Sequence, residues 1–229
     1  MTYLKEAAKW YNAEPHQDAA WGALEAKLPK DTLEEFKRAY RSPQPPVVKP
    51  SVKAIMTPEI FSKLTGFAPG TFTKQECDDC NLLLHETGFS KHIEPTRMLM
   101  ANILHETGNM RHMKEIASGA AYNGRSDLGN TQPGDGPRFK GAGVLQLTGR
   151  HNYTRLSKDL GDPKILEGVE YVSRTYPFRS AKTWIVENGL LNVALNKGFD
   201  AVCRRINGGW NGYQDRLDKY RLCKQFINF

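Results

Sequence analysis

Between Glu94 and Gly108 the chain has little choice of structure. Glu94-Pro95-Thr96 reads as a helix start with Pro95 at the first helical position, and Met98, Leu99, Met100, Ala101, Ile103 and Leu104 make nearly every face of that helix apolar. A helix that is apolar all round is buried, so other elements must pack around it. The punctuation elsewhere is also helical. Thr57-Pro58-Glu59 opens a helix that stops at Gly66, Thr73 and Glu76 have capping-box spacing, and Asp162-Pro163 opens another helix. Residues 177–188 are closed by Gly189, and residues 214–226 form the last helix. Strand signals are sparse, with Val144-Leu145-Gln146-Leu147 the best candidate for a short β element. The glycine-rich stretch between Ser118 and Gly143 is expected to border a cleft and to move. The pattern is that of an all-α chain with at most a small β element.

At 229 residues the chain can hold one domain of ordinary size plus a small appendage. Residues 1–42 read as short amphipathic helices bearing Trp10, Trp21 and Phe36, and residues 43–53 as a proline-rich, semi-rigid linker. The main domain is expected over residues 54–229. The net charge of +7 suits an anionic partner, but basic residues alternate with acids and no nucleic-acid motif is present, so nucleic acid is not expected. Four cysteines are too few for a disulfide scaffold, no run of 18 apolar residues occurs, and the start lacks a basic-then-apolar leader pattern. These features lead us to expect accumulation in a reducing cytoplasm without stable membrane insertion.

The buried helix ends in His105-Glu106-Thr107-Gly108, and a second carboxylate, Glu115, comes nine positions after Glu106. Hydrolysis of a glycosidic bond with inversion needs one carboxyl to protonate the departing oxygen and another, about 6.5 to 9.5 Å away, to activate a water. Two glutamates on one helix face would sit too close, whereas Glu106 at a helix end and Glu115 beyond the Gly108 break can face each other across a cleft. A carboxyl in the last helical turn and in poorly solvated surroundings is expected to hold its proton above the ordinary range, as a general acid must. The alternative is a helix-end glutamate pointing into water. His85-Glu86-Thr87-Gly88 repeats the same four letters twenty residues earlier, but nine positions after Glu86 stands Pro95, not an acid. Glu86 is therefore read as structural.

From residue 54 onward the motif order resembles the catalytic domain of glycoside hydrolase family 19, and most its phage endolysin branch. The resemblance rests on His105-Glu106-Thr107-Gly108, on Glu115, and on Phe139-Lys140-Gly141-Ala142-Gly143-Val144-Leu145-Gln146-Leu147-Thr148-Gly149. Asn152-Tyr153 comes next, and Ile206-Asn207-Gly208-Gly209 with Arg216 and Tyr220 closes the series. The resemblance implies a two-lobed, lysozyme-like fold, with Glu106 as the acid supported by His105, Glu115 as the base, and Thr148 helping to hold the water. It implies that Gln146, Asn152, Tyr122, Asn207 and Arg216 line the sugar subsites. It further implies a monomer that uses no metal or organic cofactor. The expected partner is peptidoglycan, cut between N-acetylated sugars, with chitin the alternative. A phage-type enzyme without a leader would reach the wall only after a separate protein had permeabilised the membrane. Residues 1–42 would then be a wall-binding module or a docked helical hairpin.

Three departures stand out. Ala142 replaces the family's arginine, removing a cation from the cleft wall unless Arg138 or Lys140 reaches the same space. Cys77, Cys80, Cys203 and Cys223 do not supply the disulfides of the plant chitinases. The segment between Ala117 and Gly141, which holds Tyr122, differs in length from the phage pattern. Two rival classes remain. A zinc-dependent wall amidase would draw on His85, His92, His105, His112 and His151, or on the four cysteines, but no HExxH is present. A non-catalytic wall-binding protein would have lost a carboxylate or the Thr148 hydroxyl, and all three groups are here.

Overall fold

Three helices open the main described segment: α1 (Pro58–Thr65), α2 (Lys74–Glu86) and α3 (Ile93–Glu106). The computed structural model describes Pro29, Thr32 and residues 52–229. The expectations for residues 1–42 as a module, and for the linker up to residue 51, lie outside the described residues. Helix α3 is the central one: Leu99, Met100, Ala101, Ile103 and Leu104 are each 0% exposed. Truncating one of them, Leu99→Ala for example, would cost about 2–5 kcal/mol through lost transfer energy and the cavity left behind. The helix begins at Ile93, two residues before the expected start, so Pro95 is its third residue. The first four N–H groups of a helix have no internal acceptor, so the proline still forfeits no hydrogen bond there.

The other caps follow their side chains. The Thr57 side chain accepts the Ile60 N–H, and Gly66 ends α1 in the left-handed region at φ 78°. At Thr73 both capping-box bonds form with Glu76. The chain then runs through α4 (Asp135–Arg138), α5 (Arg150–Leu160), α6 (Val169–Thr175), α7 (Lys182–Glu187), α8 (Leu190–Asn207) and α9 (Tyr213–Phe226). Helices α8 and α9 pack against α3, and α8 is kinked at Gly198 (φ 74°, ψ −171°).

Apolar side chains separate into two clusters. The larger joins α1, α2, α3, α8 and α9 around Leu83, Leu99, Phe178, Val202 and Cys223. The smaller joins Phe139 to Tyr153 and Leu156 of α5 and to Val169 and Val172 of α6. These are the two lobes, and the segment from Gly108 to Gly149 bridges them.

Three expectations change. Asp162-Pro163 opens a short 3-10 turn, Pro163–Glu167, instead of an α-helix, and the Asp162 side chain accepts the Lys164 N–H. Residues 177–188 are broken into the turn Arg179–Ala181 and α7. The buried Asp79 of α2 accepts the Phe178 and Arg179 N–H groups with its Oδ2 at 2.8 and 3.1 Å, satisfying donors at the start of that stretch that have no acceptor within it. Residues 144–147 form no strand among the described residues. Ala142 bridges to Leu147 and to Lys114, and the residues between turn tightly, with Gly143 at φ 74° and Gln146 at φ 55°. Among the described residues no helix is long and apolar enough to cross a membrane.

Candidate active site

The end of α3 is built by its own last residues. Thr107 sits at the C-cap, its hydroxyl donates to the Ile103 carbonyl at 2.7 Å, and it accepts the Met110 N–H at 2.9 Å. Gly108, Asn109 and Met110 come next with φ of 56°, 61° and 65°. Two consecutive non-glycine residues in the left-handed region are costly, and that cost is spent on a sharp reversal directly after Glu106. The reversal sends the chain toward the second lobe, where Glu115 lies.

Glu106 is held from one side only. Its Oε1 accepts a hydrogen bond from Arg216 Nη2 at 2.5 Å, while Oε2 has no protein partner among the described residues. Arg216 is 1% exposed; its Nη1 donates to Asn102 Oδ1 at 2.8 Å and its Nε to the Asn211 carbonyl at 3.4 Å. Asn102 and Glu106 are one helical turn apart on α3, so a single guanidinium spans both. Two expectations are corrected here. Arg216 is too deeply buried behind Glu106 to touch a sugar. The surroundings of Glu106 are also not the poorly solvated apolar ones expected, because Arg216 faces one oxygen and the side chain is 29% exposed.

His105 turns to α9. Its Nδ1 lies 2.5 Å from Asp215 Oδ2, and Lys219 donates to the other Asp215 oxygen at 2.7 Å. Burial raises the Asp215 pKa, but the hydrogen bonds from Lys219 and His105 outweigh it and hold the carboxyl below its ordinary value. Gly212 (φ 68°) makes room for the ring, since a Cβ there would sit 2.2 Å from His105 Cε1.

Glu115 is anchored differently, by acceptance at both oxygens. Oε1 accepts from the Tyr122 hydroxyl at 3.0 Å, and Oε2 from the Gly141 N–H at 3.0 Å; the Glu115 N–H returns a bond to the Gly141 carbonyl at 2.9 Å. The bond to Glu115 raises the Tyr122 pKa, so that hydroxyl keeps its proton as a donor. Gly141 has no space for a side chain: a Cβ would meet Gln146 Oε1 at 2.4 Å and Glu115 Cβ at 3.2 Å. Glu115 and Gln146 thus flank one backbone position.

Gln146 Nε2 donates to the Gly143 carbonyl at 3.0 Å, Thr148 Oγ1 to the Gln146 carbonyl at 2.9 Å, and Asn152 Nδ2 to the Thr148 carbonyl at 2.8 Å. The three side chains line one cavity of about 210 Å³. With its proton committed, the Thr148 oxygen remains an acceptor for a water or a sugar hydroxyl. Asn207 is half-buried, its Nδ2 3.3 Å from the Asn211 carbonyl, which also accepts from Arg216 Nε. Tyr122 is brought to Glu115 as a hydrogen-bond donor, whereas sugar stacking was the role expected of it.

Ala142 does not leave a gap in a cleft wall. It is 0% exposed in the second lobe's core, Lys140 Nζ donates to the Ala117 carbonyl, and the Arg138 guanidinium lies 5.8 Å from the Phe139 ring centroid. Neither cation replaces the missing arginine. The four cysteines are buried and unpaired, and among the described residues no three His, Cys, Asp or Glu side chains converge as metal ligands. Sequence reasoning missed Asn102, Asp215 and Gly212. Asn102 had a visible signal, a lone amide four residues before Glu106 in an otherwise apolar helix. Asp215 and Gly212 had none, because their partners are over a hundred residues away.

No protein-family model matches the chain. A glycosyl hydrolase family 19 domain-containing protein of Haemophilus influenzae is 32% identical over 110 residues, covering 47% of this chain and 52% of that one. An endochitinase of Arabidopsis thaliana is 35% identical over 136 residues, covering 56% of this chain and 46% of its own length. The chain thus spans about half the length of the curated relatives it matches. Among solved structures, chitinase C of Streptomyces griseus superposes with a TM-score of 0.53 at 20% identity, over 76% of this chain and 93% of the other. At that identity the likeness concerns the fold, which is the helical, lysozyme-like one.

Proposed function

We propose that this chain carries a glycoside hydrolase family 19, chitinase-like domain, a reading supported by its similarity to the family 19 protein and the endochitinases, and that it hydrolyses β-1,4 bonds between N-acetylated sugars of peptidoglycan in the manner of a phage endolysin. The observation that carries the reading is the unequal anchoring of two carboxyl groups. Glu106 gives one oxygen to Arg216 and keeps the other free, whereas Glu115 accepts at both. The free Glu106 oxygen donates its proton to the departing glycosidic oxygen. Glu115 takes a proton from water, which Thr148 helps to orient, and that water attacks the anomeric carbon from the opposite face. The configuration inverts and no covalent intermediate forms. Arg216 fixes Glu106, and Tyr122 and the Gly141 amide fix Glu115, so little reorganisation remains for the transition state.

The wall polymer is favoured by the nine-residue spacing from Glu106 to Glu115, which resembles the phage branch, and by the net charge of +7 against the carboxylates of peptide stems. On this reading the enzyme reaches the wall after a separate protein has opened the membrane. The second reading is chitin, favoured by the endochitinases among the relatives. Mass spectrometry of fragments released from purified sacculi, after borohydride reduction of the new ends, tests both. Reduced muropeptides are expected. Products from chitin oligomers alone would replace the wall reading with chitinase, and no product from either would overturn the hydrolase.

A further inference from the structure

A second cavity, of about 610 Å³, opens in the other lobe between α4, α6 and Lys140, and it shares no lining residue with the one beside Thr148. Its size is that of ligand-holding clefts. Most of its charges are matched: Asp135 pairs with Arg150 at 2.5 Å, and Glu170 with Lys114 at 2.7 Å. Three are not. Arg138, Lys140 and Glu167 line the cavity without a salt-bridge partner among the described residues, so positive charge is in excess. Both cations are seated by close packing. A Cβ at Gly119 would lie 2.8 Å from Lys140 Cβ, and one at Gly168 2.8 Å from Arg138 Cγ, so each stem rests on bare backbone from another segment. Lys140 Nζ donates to the Ala117 carbonyl at 2.8 Å, a neutral acceptor that leaves its charge unmatched and two of its hydrogens free. The Arg138 guanidinium donates to nothing among the described residues. Gln132 adds a neutral donor, because Arg150 Nη2 holds its Oε1 at 2.9 Å and its Nε2 is left over. The cavity also adjoins the base through the chain itself. Gly141, the residue after Lys140, gives its N–H to Glu115 Oε2, and Lys114, the residue before Glu115, reaches Glu170 on the cavity wall.

Unmatched cations beside a spare amide donor call for a carboxylate, which forms the stronger, charge-assisted hydrogen bonds. A chitin strand is uncharged and carries none. In peptidoglycan, alternate sugars bear a short peptide with free carboxylates, and that peptide must leave the cleft beside the sugar it hangs from. We propose that this cavity binds the carboxylate-bearing peptide stem of the wall polymer, with Arg138 and Lys140 as specificity residues, while the glycan passes Glu115. Glu167, the unpaired acid, opposes that binding and limits its strength. The two cations that do not stand in for the arginine replaced by Ala142 thus acquire a use outside the sugar cleft. The inference deepens the wall reading and rests on it.

The test titrates the full chain calorimetrically with a synthetic, N-acetylated stem peptide and with the same peptide amidated at its carboxylates. The carboxylate form is expected to bind about tenfold tighter, the size of one hydrogen bond to a charged group. Arg138→Gln combined with Lys140→Gln should erase that preference. Glu167→Gln should move it the other way, tightening the carboxylate form about twofold by removing an exposed repulsive charge, a gain that a folding defect does not produce. On soluble glycan strands, the double substitution should lower kcat/KM more for strands that keep their stems than for strands from which an amidase has removed them, through KM more than kcat. Equal affinity for the two peptides, a preference that survives the double substitution, or tighter binding of a short polyphosphate than of the peptide would overturn the assignment. A chain that prefers the carboxylate peptide and releases no reducing ends from sacculi or chitin oligomers would keep the peptide site and remove the hydrolase reading. Cleavage of both kinds of strand in the same ratio by the double variant and the unaltered chain would keep the hydrolase and remove the peptide site.

Discussion

The molecule contains the same tetrapeptide twice, and the two copies fold alike and are used differently. His85-Glu86-Thr87-Gly88 ends α2 and His105-Glu106-Thr107-Gly108 ends α3. In each the threonine is the C-cap, with φ −96° and −98°, its hydroxyl bonds the carbonyl four residues back, and the glycine is left-handed. The four letters therefore encode a helix stop and nothing more. What separates the copies is what the fold sets against each glutamate. Glu86 meets Lys182 at 3.0 Å and Arg179 at 3.8 Å, and its side chain, 25% exposed, is no more open than that of Glu106. Those cations also engage Asp159 of α5 and Asp79 of α2, so Glu86 belongs to an ion-pair network joining α2 to the Arg179–Ala181 turn, α7 and α5. Glu106 meets one buried arginine, keeps an oxygen free, and is succeeded by a chain reversal that leads to Glu115.

The comparison breaks most directly at the carboxyls themselves. Glu106→Gln should lower kcat about a thousandfold, within the range of general acid catalysis, while Glu86→Gln keeps most of the activity. Release of reducing ends from sacculi or chitin oligomers is the readout, and the opposite pattern would transfer the acid to the earlier copy. Next in size is the partner that only the later copy has. Glu115→Gln should cut kcat about a hundredfold, and Thr148→Ala less, with KM changed less than kcat in both. Single-turnover rates are the check, and an undiminished rate in the Thr148 variant would remove the water-holding role.

Stability sharpens the contrast further. Arg216→Met leaves Asn102 and Glu106 without their shared donor and should cost about 3 kcal/mol by urea unfolding, in the range for breaking a buried ion pair. Glu86→Gln, in a partly exposed network, should cost about 1 kcal/mol or less. Equal costs would mean the two glutamates are embedded alike. The smallest effect concerns the histidines. Asp215 is held below its ordinary pKa partly by His105, so its contribution to stability is present above the unfolded value near 3.8 and is lost as pH falls through the lower folded value. Asp215→Asn should therefore destabilise the protein near neutral pH and by less and less as pH falls below about 4. Melting temperatures across that range are the measurement. His85→Gln, with no side-chain partner among the described residues to lose, should leave the same curve unchanged.

Much of the fold was legible because its signals are local. The apolar run from Met98 to Leu104, the Thr57 cap, the Thr73 and Glu76 capping box, and glycines at 66 and 108 act within one or two turns of helix. Residues 177–188 read as one helix, but its first turn is 3-10 and the Phe178 and Arg179 N–H groups are taken by Asp79, about a hundred positions away. Asp162-Pro163 read as an α-helix start, and the segment closes after a single turn at Gly168. Within the site, the residue types of Glu106, Glu115, Gln146 and Thr148 were readable from their order, but the burial of Arg216 and the use of Tyr122 as a donor to Glu115 were not.

The sequence by itself determined the caps at Thr57, Gly66, Thr73 and Gly108, that α3 is buried, and that two carboxyl groups lie at and beyond its end at a spacing suited to acid and base. The tertiary structure decided which glutamate is clamped by a buried arginine, which oxygens stay free, and which side chains share a cavity with Thr148. The physical reason is range. Caps and apolar periodicity act over a few residues, whereas the environment of a carboxyl is set by whatever the folded chain packs beside it, here Arg216 from 110 positions further on.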